Sequence, residues 1–121
     1  MSPLVLLAVG VVGGVGALAR FVVDGWVAER GPDEFPLGTF VVNVSGAFLL
    51  GVLVGVALSG DALVVAAIGL LGSYTTFSTW VLESHRLAED GQGRVALLNL
   101  ALSLAVGLGA VALGRALGGL L

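Results

Sequence analysis

Four runs of apolar residues, each about as long as a lipid bilayer is thick, account for most of this sequence. They cover about residues 4–23, 37–58, 62–82 and 95–113, and a helix needs roughly 20 such residues to cross a membrane. Charged residues make up 11% of the 121-residue chain, less than half of the roughly 25% usual in soluble domains. The sequence therefore predicts an all-α protein of the plasma membrane, with one four-helix transmembrane domain over residues 1–121.

The short connections and the lack of cysteine exclude several classes of function. Residues 24–36, 59–61 and 83–94 join the apolar runs and leave no room for a soluble domain. Without cysteine the chain can form neither a disulfide nor a thiolate metal site. The five basic residues form no block that would suggest nucleic-acid binding. We therefore expect no enzymatic activity and no nucleic-acid partner, and the lipid bilayer as the surroundings of the chain.

The third apolar run contains a polar stretch that is unusual for a membrane helix. Residues 69–83 have the sequence GLLGSYTTFSTWVLE, in which the eight positions 72–79 are all glycine, hydroxyl or aromatic residues. Glycine and adjacent β-branched threonines weaken a helix, so the run predicts a break near the membrane midplane. Carbonyl oxygens freed by such a break can hold a cation. Packing of small and hydroxyl residues between helices is the alternative, although so many in a row favour the break.

Two further polar residues lie inside apolar runs, and each has more than one interpretation. Arg20 lies about one turn from the predicted end of the first helix, where it could snorkel to the interface, pair with Asp24, or face a vestibule and attract anions. Asn43 shares a helical face with Thr39 and Gly46. Its amide could join two helices, worth ~1 kcal/mol, or donate N–H groups to a small anion.

Two aromatic residues flank two hydroxyl residues towards the end of the third run. Phe77 and Trp80 are three residues apart and share a helical face, beside Ser78 and Thr79. Aromatic residues at this spacing usually fill a core, but their positive ring edges can also contact an anion. Glu83 lies at the interface end of the run, solvated or paired with a neighbour such as Arg86.

Small residues form stripes on the first and fourth predicted helices. Gly10 and Gly14 form a small-xxx-small pattern of the kind that lets two membrane helices approach closely. Asn99 and Ser103 are four residues apart in the fourth run, with Gly107 continuing the stripe. One side of that helix is therefore expected to face the bundle or an ion path.

Three stretches together resemble the Fluc (CrcB) family of fluoride channels. They are GGVGALAR at residues 13–20, GTFVVNVSG at 38–46 and the polar run at 69–83. The resemblance covers essentially the whole chain and implies passive fluoride efflux. It also implies an antiparallel, dual-topology homodimer with two separate fluoride paths. A structural sodium ion at the dimer centre would be held by the backbone carbonyls of Gly72 and Thr75 from both subunits.

The resemblance also assigns side chains to the fluoride path. The matching residues are Asn43, Phe77, Ser78, Thr79, Trp80 and Ser103. Trp80 departs from the family, which has phenylalanine there; its indole could still offer a ring edge or its N–H. Arg20 and Glu83 match vestibule or structural positions.

Two rival functions remain open on the sequence alone. A small multidrug exporter coupled to protons also has four short spans, but it needs a carboxylate in the first span, where this chain has Arg20. A non-conducting accessory subunit, which would form a heterodimer with a related chain, is the second rival.

Overall fold

The computed structural model describes residues 2–32 and 35–121, and of Ser78 the backbone alone. Over these residues the chain is helical and contains no strand. Four helical stretches are long and apolar enough to cross a membrane: Pro3–Ala28, Leu37–Gly55, Gly60–Glu89 and Gly93–Gly118. The predicted all-helical membrane class is therefore confirmed, and the chain is a multi-pass membrane protein.

The first and last helices extend beyond the apolar runs. Helix α1 spans Pro3–Ala28 and helix α6 spans Gly93–Gly118, each of 26 residues. At 1.5 Å per residue such a helix is about 39 Å long, longer than the roughly 30 Å hydrocarbon core. Hydropathy marks the part of a helix that lies in lipid, whereas the helical hydrogen bonds continue through the charged residues at its ends. Helix α1 therefore continues about five residues beyond the apolar run that the sequence marks.

The third stretch consists of four successive pieces. A short helix α3 (Gly60–Leu63) leads into a π-helical segment (Val64–Leu71), followed by one turn of helix α4 (Gly72–Tyr74) and then helix α5 (Phe77–Glu89). Between α4 and α5 the backbone of Thr75 (φ −82°, ψ 158°) and Thr76 (φ −147°, ψ 118°) is extended. The predicted interruption of the third helix is present at the two threonines.

Helix α2 (Leu37–Gly55) crosses α6 closely at glycines on both helices. A Cβ on Gly51 would overlap the carbonyl oxygen of Val111, and one on Gly114 would overlap that of Phe48. Gly55 and Gly118, one turn further along each helix, meet the opposite backbone in the same way. Two small-xxx-small pairs therefore hold the two backbones together, and they place Asn43 of α2 beside the polar side of α6.

Helix α1 packs against the third stretch through a different glycine face from the one we predicted. Added Cβ atoms on Gly10 or Gly14 would meet nothing within 4 Å in the described part of the chain. A Cβ on Gly16 would instead overlap the carbonyl oxygen of Leu70, and one on Gly13 would lie 3.0 Å from the Ser73 hydroxyl. The close approach between helices of this chain thus uses Gly13 and Gly16, and it brings Arg20, one turn later, to the helix break.

Candidate functional site

The side-chain amide of Asn43 holds the break between α4 and α5. Its Oδ1 accepts a hydrogen bond from the backbone N–H of Thr76 at 2.8 Å, and its Nδ2 donates to the carbonyl of the same residue at 3.1 Å. One amide thus satisfies both backbone groups of a residue that has left the helical ladder. An amide NH₂ has two N–H groups, so the second remains for another acceptor.

The break releases backbone carbonyls from the helical hydrogen-bond pattern. In an uninterrupted helix the N–H of Thr76 would donate to Gly72, and that of Thr79 to Thr75. Here the N–H of Thr76 donates to Asn43, and that of Thr79 donates to the Thr76 hydroxyl at 3.3 Å as an N-cap. Among the described residues, no N–H is hydrogen-bonded to the carbonyls of Gly72 or Thr75.

These two residues line an open depression of about 580 Å³ at the break, together with Ala17, Arg20 and Phe77. Unwound carbonyls of this kind coordinate sodium in other membrane proteins, so the donor set fits the expected ion. The Thr75 hydroxyl itself donates to the Leu71 carbonyl at 2.9 Å, within its own turn. The hydroxyl proton of Thr75 is therefore already used, and its backbone carbonyl oxygen is the group that it offers to a cation.

Arg20 contacts the break through its guanidinium group. Its Nε donates to the carbonyl of Ser73 at 3.3 Å, a third acceptor that the interruption leaves without its helical partner. The predicted pairing with Asp24 is not formed within the described residues; the Asp24 carboxylate lies against Gly38 at the start of α2. The guanidinium thus places a positive charge beside the depression at the break.

A groove that shares Thr76 and Phe77 with this depression brings several of the predicted path residues together. One part, of about 390 Å³, is lined by Asn43, Phe77 and Trp80 among others. An adjoining part, of about 240 Å³, is lined by Asn43, Trp80, Ser103 and Gly107 among others. Because both parts share Asn43 and Trp80, the groove runs from the break to the polar side of α6. Most of its wall is apolar.

The two remaining path residues are placed differently. Thr79 does not line this groove, and its hydroxyl oxygen accepts from the Thr76 hydroxyl at 3.2 Å. The side chain of Ser78 lies outside the described part of the structure, so its predicted role stays a prediction. The hydroxyl proton of Thr79 is not used by that bond.

The aromatic pair presents ring edges in two different environments. Phe77 and Trp80 meet edge to face, with ring centroids 5.4 Å apart and an interplanar angle of 66°. Phe77 is 73% exposed and Trp80 only 8%. The indole Nε1 donates to the backbone carbonyl of Asn99 at 3.3 Å. Of the two contacts that the indole could offer an ion, the N–H is therefore occupied, and the C–H edge remains.

Glu83 lies half-buried near the end of the third stretch. Thr39 lies beside Glu83. The Oε1 atom of Glu83 is buried without a hydrogen-bond partner in the described structure. No salt bridge to Arg86 is formed among the described residues. Its predicted role as a vestibule or structural residue stays a prediction.

Sequence reasoning did not identify Ser84, and it placed Asn99 only on the side of the fourth helix that faces the bundle or an ion path. Both are buried where α5 meets α6, with Asn99 1% and Ser84 4% exposed, and the Asn99 Nδ2 donates to the Ser84 hydroxyl at 2.8 Å. One pattern in the sequence could have indicated this contact. Trp80 and Ser84 are four residues apart on α5, and Asn99 and Ser103 have the same spacing on α6.

Residues 7–115 match the model of the family described as CrcB-like protein, Camphor Resistance (CrcB). A Mycolicibacterium paratuberculosis protein named fluoride-specific ion channel FluC 2 is 52% identical over 113 residues, which cover 93% of this chain and 93% of the relative.

Two more distant relatives carry related names. The fluoride-specific ion channel FluC 1 of Leifsonia xyli subsp. xyli is 47% identical over 99% of this chain and 90% of its own length. A protein of the same name from Symbiobacterium thermophilum is 46% identical over 91% of this chain and 94% of its own length. The chain is therefore a member of the CrcB family.

Proposed function

We propose that this chain forms a fluoride-specific ion channel through which fluoride leaves the cell passively. The observation that carries the proposal is the groove beside the helix break, which Asn43, Trp80 and Ser103 line in turn. The names of the relatives, which match nearly the whole chain, support the same ion.

The chemistry of the groove suits a small, strongly hydrated anion. A channel must replace the water of its ion with donors strong enough to admit it and weak enough to release it. Amide, hydroxyl and ring-edge C–H groups are neutral donors of this kind. Phe77 and Thr79 extend this set beside the break, and we keep Ser78 as a further path residue on the family resemblance. The cation Arg20 lines the depression at the break, which adjoins the groove, and there it would attract anions to the mouth.

We further propose that two copies assemble in opposite orientations around a structural sodium ion. Hard cations take several oxygen ligands, and one chain offers the two free carbonyls of Gly72 and Thr75. A second copy would supply the same pair. The high exposure of Phe77, a large aromatic side chain at the break, also favours a partner that covers it. A homodimer is the simplest assembly, because this chain carries the complete set of path residues.

Fluoride flux from liposomes tests the proposed function. The purified chain, reconstituted alone, is expected to release trapped fluoride as soon as an ionophore balances the charge, at a rate that an imposed pH gradient does not change. A fluoride electrode measures the release. Efflux that depends on a proton gradient would favour the exporter, and no efflux from the chain alone would favour an accessory subunit.

Removal of sodium is expected to destabilise the assembly. An ion that binds only the folded dimer stabilises it by about 2.7 kcal/mol at one hundred times its dissociation constant. Replacing sodium with N-methylglucamine at constant ionic strength should therefore lower the thermal unfolding temperature in detergent, and adding sodium back should restore it with a saturating dependence. Equal unfolding temperatures in both salts would contradict the sodium site.

A further inference from the structure

A buried chain of hydrogen bonds joins α5 to α6 behind the groove. The Asn99 Nδ2 donates to the Ser84 hydroxyl at 2.8 Å, and the Ser84 hydroxyl donates to the carbonyl of Trp80 at 2.9 Å. At the other end, the Ser103 hydroxyl donates to the Asn99 Oδ1 at 3.3 Å. Asn99 and Ser84 are almost fully buried, whereas Ser103 lines the groove.

The directions of these bonds follow from the number of protons available. A serine hydroxyl has one proton, and that of Ser84 is used on the Trp80 carbonyl, which is an acceptor only. Ser84 must therefore accept from Asn99, so the NH₂ group of Asn99 faces Ser84 and its oxygen faces Ser103. The Ser103 proton consequently points to Asn99, away from the groove.

This arrangement has a consequence for an anion in the groove. Ser103 can donate to an anion only after its bond to Asn99 breaks, so each such contact is weakened by the strength of that bond. When the anion moves on, the amide oxygen of Asn99 is in place to take the proton back. The burial of Asn99 and its short bond to Ser84 keep the oxygen in that position.

We propose that Asn99 is a positioning residue that limits how tightly Ser103 holds the conducted anion. Asn99 does not line the groove and acts through Ser103 alone. The inference rests on the proposed function, because it concerns the affinity of the same path. Without the amide oxygen, Ser103 donates freely, the anion binds more tightly, and its release is slower.

The test measures fluoride flux against fluoride concentration for reconstituted dimers. Asn99→Leu combined with Ser84→Ala removes the amide oxygen and leaves no buried hydroxyl facing leucine, and the wild-type chain, which keeps the bond between Asn99 and Ser84, is the reference. The double variant keeps the backbone carbonyl of residue 99, which holds the Trp80 indole. Asn99→Ala is a second variant that removes the same acceptor without adding bulk.

The half-saturating fluoride concentration should fall about threefold to tenfold in both Asn99 variants relative to the wild-type chain, as expected for the loss of one competing hydrogen bond. The maximum flux should fall with it. Adding Ser103→Ala should abolish the difference, because Asn99 then has no hydroxyl to compete for. A purely structural role would lower flux without lowering the half-saturating concentration.

Distinct outcomes separate the two proposals. An unchanged or higher half-saturating concentration in the Asn99 variants would overturn the inference, and so would an equal fall in the Ser103→Ala background. In both cases the wild-type chain would still conduct fluoride and the proposed function would stand. If the wild-type chain passes no fluoride at any concentration, the proposed function fails, and the inference fails with it.

Discussion

Asn43→Leu is expected to abolish fluoride efflux and to lower the free energy of unfolding by about 2–5 kcal/mol. Leucine has a similar volume but neither donates nor accepts, so the backbone N–H and carbonyl of Thr76 would lose both bonds to the Asn43 amide. A buried group left without a partner costs about 1–3 kcal/mol, and no water in the hydrocarbon region replaces it. Thermal unfolding in detergent and efflux from liposomes measure the two effects.

Two further variants separate the support of the break from donation to the anion. Asn43→Asp, held neutral by burial, can accept from the Thr76 N–H and donate its one O–H to the Thr76 carbonyl. It then has no donor left for the anion, so it should lose less stability than leucine and still fail to conduct. Ser45→Ala, two residues later on α2, removes a hydroxyl that contacts the Tyr74 hydroxyl at 2.9 Å. Ser45→Ala should lower the free energy of unfolding by about 1 kcal/mol and leave efflux intact. Normal efflux from Asn43→Leu would refute the assigned path.

The break itself was predictable because its cause is local. Two adjacent β-branched threonines and the nearby Gly72 weaken helix whatever lies around them, and the extended backbone occurs at those threonines. The partner that satisfies the break was not predictable. Asn43 lies 33 residues away from Thr76, and its local sequence allowed both helix contact and ion contact. The structure shows that its amide supports the break, and the groove leaves its second N–H for the proposed path.

Residues whose roles depend on the neighbouring helix were harder to find. Several faces of α1 carry a glycine: Gly10, Gly13, Gly14 and Gly16. The third stretch packs against Gly13 and Gly16, and the local sequence of α1 contains no information about that partner. Ser84 lies near charged residues, so hydropathy gives no sign that it is buried. Its role is visible only when Asn99, 15 residues later, is packed against it.

Gly114→Ala is expected to lower the free energy of unfolding by about 3 kcal/mol or more. The added methyl group would overlap the carbonyl oxygen of Phe48 and lie 3.0 Å from the backbone nitrogen of Val52. Because the obstacles are backbone atoms of α2, no side chain can rotate to relieve the overlap, and the two helices must move apart. Overpacking of this kind costs typically about 1–3 kcal/mol and occasionally more. Thermal unfolding and size-exclusion chromatography in detergent measure the loss.

Gly109→Ala is the matched control, since it makes the same change on the same helix at a position where an added Cβ meets nothing within 4 Å among the described residues. It should leave stability unchanged or raise it by up to about 1 kcal/mol, because alanine favours helix over glycine. Gly51→Ala, which overlaps the Val111 carbonyl at the same crossing, should resemble Gly114→Ala. The variant with both Gly51→Ala and Gly114→Ala should lose less free energy of unfolding than the sum of the two single losses. Helices already separated by one methyl group accommodate the second. If Gly114→Ala were as stable as Gly109→Ala, the close crossing of α2 and α6 would be wrong, and with it the placement of Asn43 beside Ser103.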